Sequence, residues 1–306
     1  MGQSSEPREE FYGRRENAST KGAESLTLTW ADAASIAVRR PGVVFRRLQL
    51  ILANAGFRRR RALWLSQLTG ASIEEISRYT HEIESDRQFL RLIRQRLREY
   101  TAYYPLPTDF MTDDRGGSLF FHSVSLYVFA RLARPHMIVE TGGTPGKSSA
   151  FLLRALQQNG VGELCTIDLP PQEYSLDEPT NSSEFHGRAP VGVGAAWLVP
   201  DSLRNRHSLI IGDTRVVLPH ILAKLGQIDL FIHDSDHSYD HMRWELETAR
   251  PYVRNGGFLW SDDIGTNTAW ADFCNAHRLT PENFTSQGVA RIDARHKSGH
   301  WRQGQL

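Results

Sequence analysis

The segment Met137-Ile-Val-Glu140-Thr141-Gly142-Gly143-Thr-Pro-Gly146-Lys147-Ser148-Ser-Ala-Phe-Leu152-Leu153 decides how the chain is read. A short apolar run enters a glycine-rich turn, and apolar residues at helical spacing follow from about Lys147. Such a turn lets backbone approach a ligand closely and aims free helix N–H groups at a polar or anionic group. Further short apolar runs lie at Leu164–Asp168, Ser208–Ile211, Asp229–His233 and Gly257–Ser261, with helical patterns between them. A helix over Ser123–Ala133 precedes the series; a helix over Thr268–His277 and a strand-like run over Gly288–Asp293 close it. Strands alternating with helices predict βαβ units: an α/β, Rossmann-like, doubly wound and mainly parallel sheet with helices on both faces.

Three ligand classes use a turn of this kind, and spacing separates them. A nucleoside-triphosphate loop needs Gly-x-x-x-x-Gly-Lys-Ser. Gly146-Lys147-Ser148 supplies its end, but Thr141 stands where the first glycine belongs. A dinucleotide fingerprint needs Gly-x-Gly-x-x-Gly, and Thr141 again fails the first place. The third pattern, Glu-x-Gly-x-x-x-Gly-x-Ser-x-x-x-Leu, is met in full by Glu140, Gly142, Gly146, Ser148 and Leu152. It resembles the first motif of class I S-adenosylmethionine-dependent methyltransferases, in the version of small O-methyltransferases. The resemblance implies that Glu140, Thr141, Gly142, Gly143, Gly146 and Ser148 form the cofactor turn, lining its methionine half. Lys147 reads as a solvated first-turn residue.

The second run ends in Asp168, an acid placed to accept from ribose hydroxyls, or else to cap the next helix. The third leads to Gly212-Asp213-Thr214. The resemblance implies that Asp213 takes the adenine amine.

Asp229-Leu-Phe-Ile-His233-Asp234-Ser235-Asp236-His237-Ser-Tyr-Asp-His241 is a strand that runs into an acidic turn, and Gly256-Gly257-Phe-Leu-Trp-Ser-Asp262-Asp263 follows. In a parallel sheet both strand ends open on the ligand-binding edge. Carboxylates gathered there repel unless protonated or bridged by a cation, and hard oxygen ligands favour Mg²⁺, Mn²⁺ or Ca²⁺. The order Asp-x-Asp-His-x-Tyr then Gly-Gly-x-x-x-x-Asp-Asp is similar to methyltransferases that include sugar O-methyltransferases and cephalosporin-hydroxylase-like proteins. Carried over by position, the resemblance makes Asp234, Asp262 and Asp263 ligands of a divalent cation, Mg²⁺ first. Asp234 also falls at the cofactor. His237 and Asp236 are the nearest bases for a hydroxyl nucleophile, although His237 is equally a capping or packing histidine by its position. His237 and His241 are four apart, but no Glu stands at the metalloprotease position. The implied activity is methyl transfer to a hydroxyl of a sugar or glycosylated small molecule. The alternatives are a P-loop-like phosphotransferase and a cofactor-binding scaffold without turnover.

The resemblance spans about residues 118–295 and leaves the front unassigned. Residues 1–25 read as a disordered arm, and 26–117 as a helical N-terminal extension with a linker over Tyr103–Gly117. Its helices are expected at Trp30–Ala37, Val43–Leu68, after the capping pair Ser72 and Glu75, and at Arg87–Tyr100. Residues 118–306 form the catalytic domain, with 170–206 as an insertion or lid. The front is basic, with 18 Lys and Arg against 12 Asp and Glu over residues 1–100, while the remainder has 18 against 23. Between Arg39 and Arg61 stand eight arginines and no acid. They read as the solvated face of a packed helix or as a surface for anionic membrane; sparse aromatics argue against nucleic acid. The helical extension is compatible with a homodimer. Two cysteines, Cys165 and Cys274, and a polar N-terminus without an apolar signal core point to a cytoplasmic protein, peripheral at a membrane if the arginines bind one.

Overall fold

The computed structural model describes residues 41–100, 121–175 and 187–293. The arm, the expected helix at Trp30–Ala37 and the Tyr103–Gly117 linker lie outside them. The chain divides into two compact units, 1–49 and 50–306, and the sheet belongs to the second.

Among the described residues, four helices precede the first strand: α1 (Pro41–Thr69), α2 (Ile73–Glu84), α3 (Arg87–Tyr100) and α4 (Phe121–Ala133). Ser72 caps α2 as the sequence predicts, accepting from the Glu75 amide at 3.1 Å. The sheet strands are β1 (Met137–Thr141), β2 (Glu163–Asp168), β5 (His207–Ile211), β6 (Ile228–His233), β7 (Val253–Ser261), β8 (Pro281–Phe284) and β9 (Gln287–Arg291). Helices α5 (Lys147–Asn159), α6 (Thr214–Leu225), α7 (Tyr239–Ala249) and α8 (Ala269–Ala276) separate them. The order across the sheet is β5-β2-β1-β6-β7-β9-β8. The first five strands in that order are parallel, and β9 runs antiparallel to both β7 and β8. Strand β6 is buried along its whole length, because helices cover both faces of the sheet. One apolar core lies under α1–α5, and a second under α6, α7 and α8.

Strand order reverses between β1 and β6, the switch point where open parallel sheets bind ligands. Asp229, at the other end of β6, fixes this pair: its Oδ2 accepts from the His136 and Met137 amides, both at 2.8 Å.

Two expectations change. The described part of the 170–206 segment, 170–175 and 187–206, is built partly into the core. It contains the short parallel pair β3 (Gln172–Tyr174) and β4 (Arg188–Pro190), and Trp197, Leu198 and Val199 are buried. Leu198 N donates to the Pro145 carbonyl at 2.8 Å, so the segment buttresses the glycine turn. The arginine run also divides. Arg61 is 1% exposed and faces Glu84 at 3.7 Å, while Arg58 pairs with the same Glu84 at 3.1 Å. Arg59 and Arg60 remain exposed. Arg61 therefore does not share an exposed surface with Arg59 and Arg60, and the side chains of Arg39, Arg40, Arg46 and Arg47 lie outside the described residues. No helix among the described residues is long and apolar enough to cross a membrane.

Candidate active site

A cleft of about 960 Å³ opens at the switch point. Its first wall is the glycine turn. Gly142 has φ +78°, and a Cβ there would collide with the Asp234 backbone carbonyl. The glycine lets the ends of β1 and β6 close on each other, and the Asp234 amide donates to the Thr141 carbonyl at 3.0 Å. Gly146, at φ +99°, turns the chain into α5.

Glu140 and Thr141 lie beneath this wall. Both are fully buried, and neither lines the cleft. Glu140 accepts from Ser148 and Ser149 hydroxyls at 2.5 Å and from Thr166 at 2.9 Å, which ties the strand to the first turn of α5. Burial pushes its carboxyl up, and the three hydroxyls only partly oppose this. Thr141 donates to Glu245 at 2.5 Å. Gly142, Gly143, Gly146 and Ser148 line the cleft.

Asp168 supports the turn from the end of β2. Its Oδ2 accepts from the Gly143 and Thr144 amides at 3.0 and 2.7 Å, and its Oδ1 from Leu169 at 2.8 Å. Asp213 is exposed at the far wall, capping α6 by accepting from Arg215 N at 2.8 Å through Oδ1.

The acidic end brings Asp234, Asp236, His237, Asp262 and Asp263 to one wall. Burial pushes Asp234 well above the usual carboxylate range; Asp262 adds to the rise and Lys147 opposes it. Asp234 still keeps 34% of its side-chain surface, and its Oδ1 lies 3.7 Å from His237 Nε2. Burial and the neighbouring His233 lower His237 below the ordinary histidine value, so its free-base form prevails at neutral pH. Asp236 serves as a local cap, accepting from Ser238 N at 2.9 Å and from its hydroxyl at 3.2 Å, which holds its carboxyl low. Asp262 Oδ1 accepts from Asp263 N at 2.9 Å and from Ser286 at 3.0 Å.

Two features escape the sequence reading. Lys147 is not a solvated residue: it lines the cleft, where burial lowers its ammonium while Asp234 and Asp262 favour the charge. Beneath the acidic wall, fully buried Glu245 accepts from His233 Nδ1 at 2.6 Å and Ser235 at 2.9 Å, and pairs with His241 Nε2 at 2.9 Å. Spacing alone could have flagged His241 and Glu245, which stand four apart on one helix face; His233 looked like a strand residue.

Residues 139–264 match a family model described as a methyltransferase domain. Residues 139–264 thus carry a methyltransferase domain, built on the mainly parallel sheet. The matched span begins inside β1 and ends just past the Asp262-Asp263 pair, so the methyltransferase match contains every residue of the cleft walls named above except its first-strand approach and Ser286. Among solved structures, the O-methyltransferase TomG from Streptomyces achromogenes, in complex with SAM, is 18% identical, with 69% of this chain and 91% of that one covered and a TM-score of 0.42. The O-methyltransferase from Bacillus cereus, in complex with SAH, is 14% identical, with 71% and 96% covered and a TM-score of 0.46. No curated protein sequence matches the chain.

Proposed function

We propose that the methyltransferase moves a methyl group from S-adenosylmethionine to a hydroxyl oxygen of a small acceptor, a sugar or glycosylated molecule. One observation carries this reading: a single cleft at the switch point joins the glycine turn to His237, whose Nε2 lies 3.7 Å from the partly exposed Asp234 carboxylate. Its volume, about 960 Å³, is near the upper end for ligand pockets and suits a nucleoside with a small acceptor beside it. The backbone of Gly142–Gly146 contacts the methionyl half of the cofactor. Asp168 spends three acceptor positions on amides and keeps capacity for a ribose hydroxyl. The second oxygen of Asp213 takes the adenine amine.

At the other end His237 removes the hydroxyl proton. The oxygen lone pair attacks the methyl carbon in line, the carbon–sulfur bond breaks, and its electron pair leaves on sulfur as a neutral thioether. The proton stays on the imidazole until solvent takes it. Asp234, 3.7 Å away, stabilises the imidazolium. Asp234, Asp262 and Asp263 share the acidic wall, while among the described residues no three His, Cys, Asp or Glu side chains are drawn together closely enough to hold an ion; these steps use the chain's own residues.

Titration calorimetry with S-adenosylmethionine, its demethylated product and ATP tests the reading. Heat with the two nucleosides and none with ATP is expected; heat with ATP alone would replace it by phosphoryl transfer. Labelled-methyl transfer to a panel of glycosides then identifies the acceptor. With that acceptor, His237→Ala should lower kcat by about 100-fold.

A further inference from the structure

The acidic end of the cleft also receives a cationic side chain of the chain itself. Of the described residues that line it, Lys147 is the lysine and Arg215 the arginine. Arg215 follows Asp213 on the far wall, with its guanidinium 5.5 Å from the Trp244 ring centroid. Lys147 is thus the lysine at the acidic end, where Asp234 and Asp262 favour its charge against burial. Its position is well fixed. It is the first residue of α5, directly after the left-handed turn at Gly146, and Ser149, Ala150 and Phe151 anchor the same helical turn in the core. It has no acid within ion-pair distance among the described residues, so the ammonium is not spent on a bidentate partner. It lines the cleft together with Asp234 and Asp262, and both carboxylates favour its charge.

We propose that the Lys147 ammonium takes the place of a divalent cation, holding the acceptor oxygen beside Asp234 and Asp262 during methyl transfer. This rests on the methyl-transfer reading above. As His237 takes the hydroxyl proton, negative charge grows on the oxygen before the new carbon–oxygen bond neutralises it. A fixed ammonium aimed at that charge stabilises the transition state more than the neutral hydroxyl or the ether product. The ammonium donates up to three hydrogen bonds and is a compact point charge, so it can serve an oxygen and face two carboxylates together. Asp234 and Asp262 offset its repulsion of the sulfonium. The cation comes with the chain, and activity needs no added ion.

Binding of Mn²⁺ to the full chain, followed by its paramagnetic resonance signal without cofactor or acceptor, decides the point. The wild type should leave Mn²⁺ free. Lys147→Ala should bind it tighter by about tenfold or more, because the carboxylates lose their counter-charge, and adding Asp234→Asn should abolish the gain. Equal Mn²⁺ binding by wild type and Lys147→Ala, or no binding by either, overturns the proposal. Lys147→Met keeps the alkyl stem and serves if alanine does not fold. With an acceptor in hand, Lys147→Met should lower kcat by about 100-fold with cofactor affinity unchanged, Lys147→Arg should recover part of the loss, and a chelator should leave wild-type transfer intact. Full transfer in Lys147→Met, or loss of wild-type transfer in chelator, also overturns it. A wild type that binds no nucleoside sinks the methyl-transfer reading instead, and the Mn²⁺ comparison still judges the lysine.

Discussion

Two buried glutamates stand under the two sides of the switch point, and their surroundings push them in opposite directions. Glu140, at the end of β1, accepts only from the neutral hydroxyls of Ser148, Ser149 and Thr166, and its carboxyl is raised. Glu245, on α7 beneath the end of β6, is just as buried, but hydrogen bonds from His233 and His241 outweigh the burial penalty and hold it well below the carboxylate range. His241 is raised in turn, chiefly by Glu245. Hydroxyls satisfy a buried carboxylate without repaying its lost hydration, whereas the raised His241 brings charge as well. The first glutamate ties together a turn that needs shape. The second anchors an acidic wall that needs a fixed field.

Breaking the second glutamate should have the larger effect. Glu245→Gln is expected to destabilise the fold by about 3 kcal/mol at neutral pH, since one partner is removed from a buried charged network. Urea unfolding measures this, and a loss within error of zero would show that the histidines do not depend on the carboxylate. The pH dependence sharpens the contrast. The folded value of Glu245 is depressed, so its contribution is present above the unfolded value near ~4.3 and is lost as pH falls through the folded value. The gap between wild type and Glu245→Gln should narrow below that point. Glu140 has the opposite sign. Its folded value is raised, so the stability it supplies when protonated is lost as pH rises through that value. Glu140→Gln should therefore gain on the wild type between acidic and alkaline conditions; a gap independent of pH would show that the site is not raised. The smallest effect is at the far wall. Asp213→Ala removes only an N-cap and should cost about 1 kcal/mol or less, read as faster hydrogen exchange in the first turn of α6.

Much of the fold can be read along the chain because its signals are local. Each core strand of the sheet is a short apolar run between turn residues, and Ser72 and Glu75 announce the start of α2. The glycine turn is legible for the same reason: β1, the turn and α5 are contiguous, and only glycine tolerates the backbone at Gly142 and Gly146. What lies far apart in sequence was harder. Trp197–Val199 looked like part of a lid because nothing local shows that Pro145 and Arg96 receive it, yet Arg96 donates to the Trp197 carbonyl at 3.0 Å. Strand β8 went unseen because Pro281-Glu-Asn-Phe284 has little apolar pattern of its own and pairs only through β9.

By itself the sequence determined an α/β chain whose ligand edge begins at Glu140, with Asp168, Asp213, Asp234 and Asp262 delivered to that edge by their strands. Strand periodicity and the end of each strand suffice for that. The tertiary structure alone decided which charges meet. It turned Glu140 inward to three hydroxyls, set His233 and His241 on Glu245, and brought Lys147 from the start of α5 to face Asp234 and Asp262 across 87 and 115 residues of chain. Electrostatic pairing depends on distance and burial, which a linear pattern does not encode, and so the place of Lys147 in the cleft emerged only when the chain was folded.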